Sequence, residues 1–153
     1  MLNFSVEDLR KCPPGFKLSG PHCFHLGRST TSLDDILLSC STLGAINVKI
    51  ESAEKDLAVR RFLEGETDLP LNIFIGLSDK VGDNQLSSYR WEQDMSNLTY
   101  RNFANGEPGH SSQKCVGIKK TNFKWYDFHC SQGFPALCEW YIKRTFLKPV
   151  EHK

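Results

Sequence analysis

With 153 residues and 39% hydrophobic content, the chain can bury one core of ordinary size and falls short of the length at which a second core becomes the default. Nineteen basic residues against 18 acidic ones leave a formal charge of +1, which excludes a global field drawing the protein to nucleic acid or to an anionic membrane. Six cysteines, an even number in a small chain, suit disulfides in an oxidising extracellular space and argue against a cytosolic enzyme.

No run of about 18 apolar residues is present, so no direct membrane insertion is expected. The start, Met1 to Asp8, lacks the charged-then-apolar layout of a secretory signal, which is expected to lie outside this stretch. The acceptor triplets Asn3-Phe4-Ser5 and Asn97-Leu98-Thr99 make Asn3 and Asn97 the candidate glycosylation sites.

Residues 1–11 read as an N-terminal arm, 12–141 as one domain and 142–153 as a basic tail carrying Lys143, Arg144, Lys148 and Lys153. Cys12-Pro13-Pro14-Gly15 opens the domain, and a hairpin is expected between Cys12 and Cys23. Thr31-Ser32-Leu33-Asp34-Asp35 supplies a hydroxyl cap and early acids for a first helix, with Leu33, Ile36, Leu37, Cys40 and Leu43 at three-to-four spacing. Ser52-Ala53-Glu54 starts a second helix whose apolar positions are Leu57, Val59, Phe62 and Leu63, with Gly65 as its stop.

Leu71 to Leu77 reads as a buried strand. The stretch from Ser78 to Lys114 is rich in Asn, Ser, Gly and charge, too long for a simple connection, and is read as functional. Short strands follow at Cys115 to Ile118, Phe123 to Tyr126 and Ala136 to Trp140. Trp91, Trp125 and Trp140 are expected to be packing anchors, and His22 and His25, flanking Cys23, to be structural.

Six cysteines permit 15 pairings, and spacing does not choose among them. However, the cysteines bracket Ile73-Phe74-Ile75-Gly76-Leu77, Tyr89-Arg90-Trp91, Asn102-Phe103, Glu107-Pro108-Gly109 and Trp125-Tyr126-Asp127, and in that order they resemble the long form of the C-type lectin-like domain. The likeness runs from about Cys12 to Trp140. It implies an α+β fold with two helices, small antiparallel sheets and a long irregular loop region. It also implies disulfides joining Cys12 to Cys23, Cys40 to Cys138 and Cys115 to Cys130.

In sugar-binding members of that family, a calcium ion at the long loop is held by a Glu-Pro-Asn or Gln-Pro-Asp triplet, an acid shortly before the next cysteine, and an Asn-Asp pair in the following strand. Calcium takes six to eight oxygen ligands, so a partly filled sphere leaves room for sugar hydroxyls. The resemblance places Glu107 and Asp127 as metal ligands, Pro108 as the cis-proline, and Gly109, Gln113 and Tyr126 as further ligand-binding positions. Gly109 brings no side-chain oxygen, Gln113 stands where an acid is expected and Tyr126 where Asn is usual, so the calcium site is degenerate. His110 and His129 near the two carboxylates raise zinc as an alternative metal.

No Gly-x-Ser-x-Gly elbow, His-Glu-x-x-His helix or phosphate-binding Gly loop is present. The expected function is a non-catalytic extracellular recognition domain, secreted or part of an ectodomain, that binds carbohydrate through the long-loop face. The alternative is a calcium-independent protein ligand. Neither mannose nor galactose is selected, and a homodimer stays open.

Overall fold

A computed structural model describes residues 11–29, 32–110 and 112–141. The expected arm up to residue 10, the Asn3 triplet, the cap candidate Thr31 and the basic tail lie outside the described residues.

Helix α1, Leu33–Ser41, starts where the Ser32 side chain accepts the Asp35 amide, with Asp34 and Asp35 in the first turn, where acids complement the helix dipole. Ile36 and Cys40 are its buried residues. The helix ends at Ser41, so Leu43, expected on its apolar face, sits in the turn beyond and is 45% exposed.

Helix α2, Ala53–Glu64, is capped by Ser52 on the Lys55 amide and closed by Gly65 in ordinary right-handed geometry. Lys55, Ala58, Val59, Phe62 and Leu63 form its buried stripe. Leu57 falls outside that stripe and is 47% exposed, because helical spacing groups 55, 58–59 and 62–63 on one side.

The first sheet joins both ends of the domain. Strands β1 (Lys17–Ser19), β2 (His22–Leu26), β3 (Ile46–Asn47) and β8 (Leu137–Trp140) lie in the order β1-β2-β8-β3, all antiparallel, with Cys23 opposite Trp140 and Asn47 opposite Cys138. Strands β1 and β2 are the hairpin expected between the first two cysteines. Both histidines there have structural partners: His25 Nδ1 donates to the Gly15 carbonyl at 2.7 Å, and His22 Nδ1 lies 3.2 Å from Glu139 Oε2. Glu139 is buried, and its other oxygen meets Lys55 Nζ at 2.7 Å, which pairs a charge that would be costly alone.

The second sheet, in the order β5-β4-β6-β7, is built from β4 (Asn72–Asp79), β5 (Tyr89–Trp91), β6 (Cys115–Lys119) and β7 (Trp125–Phe128). Strand β5 lies inside the stretch read from sequence as irregular. The last hairpin strand begins at Trp125 and not at Phe123, which occupies the turn with φ 58°. Phe74 ties the sheets together: its amide donates to the Pro135 carbonyl at 2.8 Å, and it bridges Ala136.

Three disulfides fasten this frame: Cys12–Cys23, Cys40–Cys138 and Cys115–Cys130. Trp91 and Trp125 are fully buried, and Trp140 packs its ring edge against Phe16. Trp125 receives Trp91, Tyr100 and Phe103 edge-on, with centroids 5.9, 5.9 and 5.5 Å away. Each such pair contributes about 0.5–1.5 kcal/mol beyond its buried area, so together they are enough to hold the loop segment around Tyr100 and Phe103 on the sheet.

Gly76 explains the Ile-Gly-Leu step in β4. Pairing with β6 shifts register between Phe74 and Leu77, Gly76 has φ 78°, and a Cβ there would lie 2.4 Å from the Val48 carbonyl oxygen. Strain and overpacking add, so Gly76→Ala is expected to cost about 2–4 kcal/mol. A urea midpoint within error of wild type would contradict this account of the bulge.

Candidate functional site

The long loop is shaped from within by two buried carboxylates. Asp79, at the end of β4, accepts the amides of Val81 and Gly82 on Oδ1 at 3.0 and 2.8 Å and that of Asn84 on Oδ2 at 2.9 Å. This wraps the turn around the acid and sets Asn84 at φ 61°, a conformation Asn tolerates. Asn84 Nδ2 then donates to the Pro108 carbonyl at 3.1 Å, and Tyr89 donates its hydroxyl to Asn84 Oδ1 at 3.4 Å.

Asp127 does the same from β7. Its Oδ2 accepts the amides of Gly109 and His110, both at 3.0 Å. The Glu107–Pro108 peptide bond is cis, and it lies between these two anchors, Asn84 on one side and Asp127 on the other. Neither Asp79 nor Asn84 was singled out from sequence. Their signal is the Asp-x-x-Gly-Asp-Asn order of residues 79–84, which marks a turn folding onto its own carboxylate.

Glu107 and Asp127 come together. Desolvation, then the hydrogen bond to Asp127, then the charge of Asp127 push the Glu107 carboxyl up to about 7, against the opposing charges of His110 and Lys119. Glu107 Oε2 and Asp127 Oδ1 are buried atoms that meet no donor from the rest of the protein, so a hydrogen bond between the two acids needs a proton on one of them. Two adjacent carboxylates are both acceptors, so only a proton or a cation between them removes the conflict. Tyr89 reports the same negative region: burial first, then the charges of Asp127, Asp79, Glu107 and Asp83, push its phenol well above the ordinary tyrosine range.

Gln113 also has a buried, unpartnered oxygen, Oε1, and its amide donates to the His110 carbonyl at 3.1 Å. Its loop is therefore the one that Asp127 holds. Gly109 is exposed, and a Cβ there would lie 3.0 Å from Glu107 Oε2. Tyr126 is engaged elsewhere on the hairpin: Lys119 Nζ sits 4.0 Å from its ring centroid, and its hydroxyl accepts from Asn122 Nδ2 at 2.7 Å. Among the described residues no three His, Cys, Asp or Glu side chains are grouped to hold a metal ion, zinc or calcium. His110 and His129 are both exposed.

The family model "Lectin C-type domain" covers residues 29–140. The chain belongs to the C-type lectin family. A perlucin-like protein of Mytilus galloprovincialis is 24% identical over 122 residues, 78% of this chain and 76% of that protein. Against some other curated relatives the chain spans only about half their length, 53% and 54%.

Among solved structures, the mouse scavenger receptor C-type lectin carbohydrate-recognition domain aligns with TM-score 0.70 and 25% identity, covering 86% of this chain and 98% of that one. A calcium-independent type II antifreeze protein aligns with TM-score 0.67 and 23% identity over 84% and 93% of the two chains. The fold is thus the C-type lectin fold, in a family of carbohydrate- or protein-binding domains that includes calcium-independent types.

The carboxyl pair has a measurable consequence. A raised acid pKa means that the native state holds the proton more tightly than the unfolded chain. The stability contributed by this group in cation-free protein is therefore full below about 4.5 and is lost as pH rises through about 7. Asp127→Asn keeps an acceptor for the two amides but removes the like charge. Carboxyl NMR titration should then show the Glu107 midpoint falling below its wild-type value, and a midpoint that does not move would refute the pairing.

Proposed function

We propose that this chain is a non-catalytic extracellular recognition domain that binds carbohydrate at the long-loop face, with a weakly held calcium ion between Glu107 and Asp127. The observation that supports this reading is the carboxyl pair itself: two adjacent acids, each leaving a buried oxygen without a donor. Hard oxygen donors of this kind suit calcium, and Gln113 Oε1 adds a third buried oxygen without a partner.

Two carboxylates and an amide leave much of a six-to-eight-ligand sphere open to water or to vicinal sugar hydroxyls. Gly109 enters the reading as backbone and Tyr126 as part of the surrounding surface, not as metal ligands. An open depression of about 360 Å³, lined by Leu86 and by residues from Arg101 to Glu107, lies beside the pair and is large enough for a saccharide.

One observation favours the second reading, a calcium-independent protein ligand: Asp127 Oδ2 is already occupied by two backbone amides, which lowers the charge available to a metal. Residues 12–141 are the recognition unit in either case. The exposed Asn97 suits glycan attachment in a secreted chain or ectodomain, as Asn3 does by sequence, and homodimer formation is compatible with both readings.

Calorimetric titration of calcium into chelator-treated protein separates the two. The calcium reading expects a Kd of about 10⁻⁴–10⁻³ M, within the range of extracellular modules. It expects the heat to vanish in Glu107→Gln and binding to tighten in Gly109→Asn, which adds a side-chain oxygen. Affinity should also rise with pH through about 7, because the ion replaces the shared proton. Absence of heat in the wild type, with glycan-array binding also absent, would leave the protein ligand.

A further inference from the structure

A second cleft, of about 160 Å³, opens between α2 and the β6–β7 turn, away from the carboxyl pair. That volume is well below the ~300–1,000 Å³ of pockets for drug-sized ligands, so it fits one sugar ring or one charged group. Its rim is cationic. The Arg60 guanidinium lies 5.0 Å above the Phe123 ring, and Lys124 Nζ donates to Asn102 Oδ1 at 2.9 Å. Arg60 meets Glu64 only at 3.6 Å in an exposed pair, a contact of little strength.

Among the described residues lining the cleft the one acid is Asp56. Burial raises its pKa, while its Oδ2 accepts the Tyr100 hydroxyl at 2.9 Å and Asn102 Nδ2 at 2.8 Å, which ties that oxygen into the fold. The neighbouring lysines of the turn likewise hold neutral partners: Lys120 Nζ donates to the Leu69 carbonyl at 3.0 Å, and Lys119 rests on the Tyr126 ring. Arg60 keeps only its loose pair with Glu64, and Lys124, which also feels the charge of Asp56, bonds an amide oxygen; an anionic oxygen can replace these contacts with stronger charge-assisted bonds.

Phe123 supplies the wall. A bulky side chain at φ 58° is strained, and this conformation places the ring beneath Arg60, where a cation–π contact holds the guanidinium at the mouth. The cleft also joins the long-loop face, since Asn102 lines both this cleft and the 360 Å³ depression beside Glu107.

We propose that the cleft between α2 and the β6–β7 turn is a metal-independent subsite for the sulfate- or carboxylate-bearing residue of an acidic polysaccharide, with Arg60 and Lys124 as its anion ligands. The class of ligand rests on the carbohydrate reading of the long-loop face; the anion contacts do not depend on the metal.

The probe is a sulfated heparin hexasaccharide, titrated in the presence of chelator and followed by calorimetry and by side-chain NMR shifts of Arg60 and Lys124. Binding is expected, with a loss of about tenfold or more in the double variant Arg60→Gln/Lys124→Gln, whose sites are solvent-exposed. The charge-matched control Lys17→Gln/Lys49→Gln, whose lysines pair with Glu66 and Asp94, should stay within about twofold of wild type. Equal losses in both double variants, equal binding of a charge-matched single-stranded oligonucleotide, or no binding at all would overturn the proposal. A hexasaccharide stripped of both its sulfates and its carboxylate charge should bind far more weakly. Inorganic sulfate as tight as the hexasaccharide would instead mean a free-anion site and refute the saccharide. Glu107→Gln should leave this binding intact, so a failure of the calcium reading is distinguishable from a failure of this one.

Discussion

The pairing of β2 with β8, reinforced by Cys40–Cys138 across a sequence separation of 98, closes the domain on itself, and the site depends on that closure. In the chain-entropy account a loop of about 100 residues gains about 4.7 kcal/mol from such a link, against about 3 for a loop of about 15, the size closed by Cys115–Cys130. With both ends fixed in one sheet, the intervening chain has to return to its start. The second sheet then grows from its middle: β4 passes beside Phe74's contacts with Pro135 and Ala136 and carries Asp79 out to the loop.

From that frame the loop is ordered by acids rather than by regular pairing. Asp79 ends β4 and Asp127 lies near the end of β7, on either side of β6, and each turns a carboxylate onto backbone amides of the loop. Carboxylates make strong acceptors for backbone N–H groups, so these contacts position Pro108 and its neighbours more firmly than neutral turns would. The same economy creates the tension at Glu107. Holding the loop close requires Asp127 inside it, and burying Asp127 there brings Glu107 against a like charge.

The helices were legible because their marks are local, hydroxyl caps at Ser32 and Ser52 followed by apolar spacing, whereas the cysteine pairing and the Ile-Gly-Leu strand were legible only through the family resemblance. What local pattern did not carry was long-range pairing. Ile46–Asn47 is a strand only because β8 lies beside it, and Tyr89–Trp91 only because β4 does. Leu43 and Leu57 look apolar enough for a core but fall outside the faces that the helix lengths and spacing define. Phe123 reads as strand by residue type, yet the hairpin turn takes it, since the Trp125 to Phe128 register against β6 leaves it no partner there. At the site, Glu107 and Asp127 were legible as a pair through the family motif, whereas Asn84 was not, because its role depends on Asp79 bending the chain back toward Pro108.

The two faces that meet at Asn102 divide the electrostatics of a nearly neutral chain. On one side Asp79, Asp83, Glu107 and Asp127 lower the potential around Tyr89; on the other Arg60, Lys120 and Lys124 raise it around Phe123. Coulomb interactions at these separations are weak in water and strengthen only where solvent is displaced, so neither patch exerts much pull until a ligand covers it. A bare anion is repelled by the first patch and a bare cation by the second. Under the proposed carbohydrate reading, a polymer with neutral hydroxyls against the first patch and an acidic group against the second would satisfy both, a discrimination that net charge alone does not provide.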